Sequence, residues 1–287
     1  MLRFRKMIER SGKTISAAPI TGNFPKRKKE IVMFLKKSVK AEDKTSPLKT
    51  MEYSGRHLRH ELKYMIDEGT YRVLRGRLLP LMYHDAHGSD GEYRVTSLYF
   101  DDIYNSAYFD KTNGVLTRRK FRVRSYDLDP SLITLEAKHK DGEFVSKLSQ
   151  RLTMEQYRAL LAGNCGFMSG FEDTENAFGE YYRSDILTAL KPRVIVDYQR
   201  EALIYPFGNV RITFDKKLST CYNSIDMFEE GAFFSPVYPT EIILEVKYDE
   251  YIPNSIQSVL HGITSQQSVS KYILCCDRLT EVKAHGV

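Results

Sequence analysis

The 287 residues contain no tryptophan, only four cysteines and ten prolines, and no apolar run near the roughly 20 residues of a membrane-spanning helix. Cys165, Cys221, Cys275 and Cys276 form no Cys-x-x-Cys pair and no regular spacing, which argues against a disulfide framework or a zinc site and for a reducing, cytoplasmic setting. The N-terminal Met-Leu-Arg-Phe-Arg-Lys lacks the apolar core of a signal peptide. If the protein works at a membrane, this reading requires a membrane-protein partner to hold it there.

What is abundant is positive charge, unevenly spread. Residues 1–50 carry fourteen Lys/Arg against four Asp/Glu, so the net +6 of the chain leaves 51–287 slightly acidic. The basic surplus belongs to the amino-terminal segment, and the rest of the chain carries no signature of specific nucleic-acid binding. The expected organisation is a basic tail over 1–55, with a short helix over 30–40, a domain over 56–281 and a C-terminal tail over 282–287. The tail's charge suits any anionic surface, membrane lipid, nucleic acid and polyphosphate included.

Within the domain, runs of alternating polarity predict strands over 60–66, 93–100, 118–126, 133–139, 144–152, 193–204, 210–218 and 241–248. Helices are predicted over 67–79, 153–161, 177–190 and 254–262, the second opening with the capping box Thr153-x-x-Gln156. The class is α+β, an antiparallel sheet or barrel with helices packed around it.

Residues two apart in a strand share a face, so Arg118, Lys120, Arg122 and Arg124 travel together opposite Phe121 and Val123. Glu61 pairs with Lys63, Glu136 with Lys138 and Lys140, Arg211 with Thr213 and Asp215, and Glu245 with Lys247 in the same manner. Like charges repeated on one face repel. Closed into a barrel with that face inward, they require an anionic guest, and phosphate suits Arg forks and Lys point charges. Glu61, Glu136 and Glu245 either pair with these bases or hold a divalent metal, with Glu245 foremost. Tyr198 shares a face with Arg200 and is placed to bond a phosphate. His84-x-x-His87 falls in a stretch read as a surface loop, and His139 alternates to the opposite face from Lys138.

The ordered set Arg59-His60-Glu61-Leu62-Lys63-Tyr64, Ser97-Leu98-Tyr99-Phe100-Asp101, Arg119-Lys120-Phe121-Arg122-Val123-Arg124, Leu135-Glu136-Ala137-Lys138, Ser146-Lys147, Asp197-Tyr198-Gln199-Arg200, Asn209-Val210-Arg211, Leu244-Glu245-Val246-Lys247-Tyr248 and Ser270-Lys271-Tyr272 resembles the VTC domain. That domain, of the vacuolar transporter chaperone type, belongs to the triphosphate tunnel metalloenzymes. The resemblance implies a tunnel lined by Lys, Arg and Glu, a divalent metal (Mn²⁺ or Mg²⁺), and transfer of the terminal phosphate of ATP to a growing polyphosphate chain. It marks Lys63, Arg122, Arg124, Lys138, Lys147, Arg200, Arg211 and Lys271 as phosphate-binding bases, adds Lys247, and marks Glu245 as the metal carboxylate. One position departs from the wider superfamily: Arg59 stands where the first Glu of a Glu-x-Glu-x-Lys strand would fall, leaving Glu61 and Lys63. Three activities stay open: a polymerase, a hydrolase of tri- or polyphosphate, and a non-catalytic subunit that senses phosphate chains. The presence of Glu245 speaks for catalysis.

Overall fold

A computed structural model describes residues 52–53, 56–86, 91–205, 207–263 and 266–284. The calls on residues 1–51, including the helix over 30–40, and on His87 lie outside them.

The described residues form twelve strands, β1 (Glu52–Tyr53), β2 (Arg56–His57), β3 (Arg59–Ile66), β4 (Tyr83–His84), β5 (Glu92–Asp101), β6 (Thr117–Tyr126), β7 (Ile133–Asp141), β8 (Phe144–Leu152), β9 (Lys191–Ile204), β10 (Arg211–Cys221), β11 (Phe234–Tyr238) and β12 (Ile242–Tyr248). The helices are α1 (Glu68–Leu78), α2 (Ser106–Thr112), α3 (Met154–Leu161), α4 (Ala177–Thr188), α5 (Asn254–Leu260) and α6 (Lys271–Ala284), with a 3₁₀ turn at Gly166–Phe171.

The strands close on themselves. Antiparallel pairing runs β10-β12-β3-β8-β7-β6-β5-β9 and returns from β9 to β10 along Ile204 to Val196, with β11 and β4 added on the outside edges of β10 and β9. The ring is thinnest between β3 and β8, where only Arg59 with Val145 and His60 with Phe144 are paired. β10 serves β12 over Arg211–Asp215 and β11 over Leu218–Cys221. Its pairing with β9 shifts register between Lys216 and Ser219, where Lys217 takes φ 54°; such a bulge lets a strand bend and change partner.

The alternation foreseen in the strands turns this barrel inside out relative to an ordinary core. Leu62, Ile66, Leu244, Val246, Ile212 and Phe214 face outward and pack beneath Tyr71, Leu74 and Leu78 of α1 and Ile256 of α5. Phe121, Val123, Ile133, Leu135 and Ala137 face outward beneath Tyr157 and Leu160 of α3 and Phe178 and Tyr181 of α4. The capping box forms as expected, with Thr153 Oγ1 accepting from the Gln156 amide and the Gln156 side chain accepting from the Thr153 amide. Helix α6 packs on β9 and β10 and joins a third cluster: Tyr272, Cys275 and Cys276 meet Val194, Val196, Leu218 and Ile243. The charged wall of β3 and β12 therefore gives way to an apolar one at Met65 and Ile243.

Several elements depart from the sequence reading. Strands β1, β2 and β11 and helices α2 and α6 were not foreseen, and α6 runs through residue 284, past the boundary placed at 281. His84 lies in β4, not in a loop. Its ring occupies the space a Cβ on Gly91 would need, 1.9 Å away at φ +79°, so the chain returning into β5 requires glycine there.

Candidate functional site

The interior holds a cavity of about 370 Å³ walled by eleven Lys/Arg side chains and two carboxylates, Glu61 and Glu245. Register puts them there: Lys63 stands opposite Glu245 and Glu61 opposite Lys247 across β3 and β12, while Tyr99 stands opposite Arg122 and Ser97 opposite Arg124 across β5 and β6.

The deepest charges form one network. Arg200 grips Asp215 with two hydrogen bonds of 2.6 and 2.7 Å. Lys271, at the start of α6, reaches Asp215 at 2.5 Å and Glu245 at 2.7 Å. Glu245 also receives Lys247 at 3.1 Å and Lys63 at 3.9 Å, and Glu61 receives Lys63 at 2.7 Å and Lys138 at 2.9 Å. On the other wall Arg122 donates to Glu136 at 2.6 Å and to the Tyr99 hydroxyl at 2.8 Å, and Lys147 donates to Glu136 at 2.5 Å. Arg124 has no carboxylate; it donates to Ser97 Oγ at 3.1 Å and to the Tyr198 hydroxyl at 3.3 Å.

Burial acts against every one of these charges, and the outcome depends on partners. Burial would raise the carboxyl of Glu245, but Lys247, Lys271, Lys63 and Arg200 more than offset it and hold it well below the usual range. Glu61 and Glu136 behave alike, through Lys138, Lys63 and Lys247 in one case and Arg122, Arg124 and Lys147 in the other. Lys138 shows the reverse: burial, which Glu61 only partly offsets, brings it down to about 7. Lys120 falls to about 7 through burial and the nearby Lys63, Arg118 and Lys111.

Of the residues singled out in the sequence, Glu61, Lys63, Arg122, Arg124, Lys138, Tyr198, Arg200, Glu245, Lys247 and Lys271 line this one cavity. Glu136 and Lys147 stand behind Arg122. Arg211 does not line it: the side chain is tied to Asp85, just after β4, and to the Tyr93 hydroxyl at 2.9 Å. His139 is outside, with Nε2 2.6 Å from Glu180. Arg118, Lys120 and Lys140 were read on the cationic faces but not carried into the site, although alternation alone puts Lys120 with Arg122; Lys111 was not read at all. Asp215 matters because it lies opposite Arg200 in the β9–β10 ladder, a register no local pattern contains.

Among the described residues no cluster of three or more His, Cys, Asp or Glu side chains could hold a metal by itself. Mg²⁺ and Mn²⁺ are commonly held by one or two carboxylates together with substrate phosphates. Glu61 and Glu245, on adjacent strands in the same cavity, fit that donor set, while Glu136 does not line the cavity.

A closed antiparallel barrel with lysine and arginine on its inner wall is a tunnel for a polyanion. The chain belongs to the VTC domain family, which it matches over residues 58–280, and is a tunnel protein of the triphosphate- and polyphosphate-binding class. No curated protein matches the sequence. Solved structures that match include a candidate adenylate cyclase from Bacillus halodurans (13% identity, 75% of this chain and 95% of that one, TM-score 0.45). The PH1819 protein of Pyrococcus horikoshii also matches (12%, 77% and 99%, TM-score 0.41), as does the Pct1 RNA triphosphatase of S. pombe (12%, 94% and 97%, TM-score 0.27). No helix among the described residues is long and apolar enough to cross a membrane.

Proposed function

We propose that the chain is an ATP-polyphosphate phosphotransferase that moves the terminal phosphate of ATP onto a polyphosphate chain inside the barrel. The observation that carries this is the excess of cations over carboxylates facing one enclosed cavity. Enclosure lowers the local dielectric and makes each fixed charge count for more than it would in water.

Phosphoryl transfer asks little covalent chemistry of the protein: it needs the phosphates held, the attacking oxygen in line and the developing charge neutralised. Arg122, Arg124 and Arg200 offer guanidinium forks to phosphate oxygens, and Lys63, Lys138 and Lys271 add point charge. The attacking group, the terminal phosphate of the chain, is already an anion and needs no general base. Tyr99 and Tyr198 fix the planes of Arg122 and Arg124, so the donors are oriented before substrate arrives. A divalent ion held by Glu245 and Glu61 would neutralise charge on the transferring phosphates.

The test is purified protein with ATP and Mn²⁺, with and without a short polyphosphate primer, products being resolved on a gel stained for polyphosphate. Long chains with ADP are expected, and Glu245→Gln should abolish them while the protein stays folded, with a melting temperature somewhat lowered by the lost ion pairs. Free phosphate without chains points to a hydrolase. A second reading, chain binding without turnover, draws on the ammonium groups that already cover Glu245. Intact ATP beside tight polyphosphate binding would favour it.

A further inference from the structure

The cavity cations divide into two sets. The inner set touches carboxylates or phenols, as described above. Lys111, Arg118, Lys120 and Lys140 touch none of the cavity carboxylates. Arg118 stands directly opposite Lys140 at the end of the β6–β7 ladder, and Lys120 directly opposite Lys138, an arrangement in which like charges repel. Lys111 arrives from α2 and donates to the backbone and hydroxyl oxygens of Ser268. The Arg118 guanidinium donates to the Val115 carbonyl. The Lys120 ammonium sits 4.4 Å from the Tyr272 ring centre and 3.5 Å from Ser270 Oγ. Asp110 and Glu143 act on Arg118 and Lys140 only at a distance, and neither bonds to them.

We propose that Lys111, Arg118, Lys120 and Lys140 form a second phosphate-binding subsite at the mouth of the cavity. It takes the part of a linear polyphosphate chain that extends beyond the inner site, and takes it without a metal ion. The inner site has carboxylates to share a cation with phosphate; the mouth has none, so its four cations face the chain's anionic oxygens directly. Burial and mutual repulsion depress Lys111 to about 8 and Lys120 to about 7, as expected where the neutralising anion is supplied from outside the protein. This inference rests on the reading that the cavity holds phosphate chains, but not on turnover.

The experiment is calorimetric titration in EDTA with tripolyphosphate and, separately, with long-chain polyphosphate. Lys111 and Lys140 are half-exposed, so their joint replacement by glutamine (K111Q/K140Q) should leave the fold intact, checked by an unchanged melting temperature. Long-chain affinity should fall about tenfold in the double variant, with tripolyphosphate affinity within about twofold of wild type. Arg124→Gln should weaken both ligands. Equal losses for both ligands in K111Q/K140Q, no loss for either, or loss of all long-chain binding in EDTA would overturn the subsite. Wild-type protein that binds the long chain through these residues yet makes no product from ATP would sink the polymerase alone. Wild-type protein that binds neither ligand would overturn both.

Discussion

Arg124 and Arg200 face the same cavity, yet their loss should be felt differently. Arg124 leans on a serine and a tyrosine, so Arg124→Gln leaves no carboxylate stranded. We expect weaker tripolyphosphate binding by about 2 kcal/mol with little change in unfolding free energy. Arg200 neutralises Asp215, which is fully buried. Arg200→Gln should therefore cost about 3 kcal/mol of stability in a denaturant titration, even with Lys271 still beside the carboxylate. Lys120 shares the pH dependence with Lys138 and Lys111. Its ammonium is lowered to about 7, as is that of Lys138, and that of Lys111 to about 8; a bound polyanion raises them again, so binding takes up protons. Affinity should be greatest below about pH 7 and fall as pH rises above it; titrations in buffers of different ionisation enthalpy should show net proton uptake at pH 8, reduced in Lys120→Gln. Affinity independent of pH across that window would remove Lys120 from the contact.

Among the elements, those with local signals were readable and those defined by contact were not. Thr153 and Gln156 announce α3 because a capping box is complete within four residues; Thr153→Ala should cost about 1 kcal/mol in thermal or chemical unfolding. Helix α6 gave no such warning. Its buried side chains, Tyr272, Cys275 and Cys276, form a narrow stripe between Lys271 and Asp277, and the packing of α6 on β9 and β10 defines that face. Strand β11 is five residues long and half-exposed, held mainly by its ladder to β10, so it lacks the alternation that marked its neighbours.

For the molecule as a whole, closure makes the site, and closure is least secured between β3 and β8. Amide hydrogen exchange should find the β8 edge that faces β3 less protected than the edge paired with β7, because beyond Val145 no strand among the described residues pairs with it. The carboxyls of Glu61, Glu136 and Glu245, held low by their cations, contribute stability that is fully present above the unfolded carboxylate value of about 4.3. That contribution is lost as pH falls towards their lower folded values.

The alternation of charge and apolar side chains was enough, by itself, to determine that this chain builds antiparallel strands with one cationic face, since side-chain direction in a strand follows from backbone geometry alone. It placed Lys63, Arg122, Arg124, Lys138, Arg200, Glu245 and Lys247 on such faces, and Ser270-Lys271-Tyr272 entered through family resemblance. Which carboxylate each base meets was decided only by the tertiary structure. Asp215 joins Arg200, Glu136 joins Arg122 and Lys147, and Arg211 turns from the cavity to Asp85, because strand register and ring closure bring together residues from distant parts of the chain. Those contacts depend on the fold of the whole barrel, which no single segment encodes.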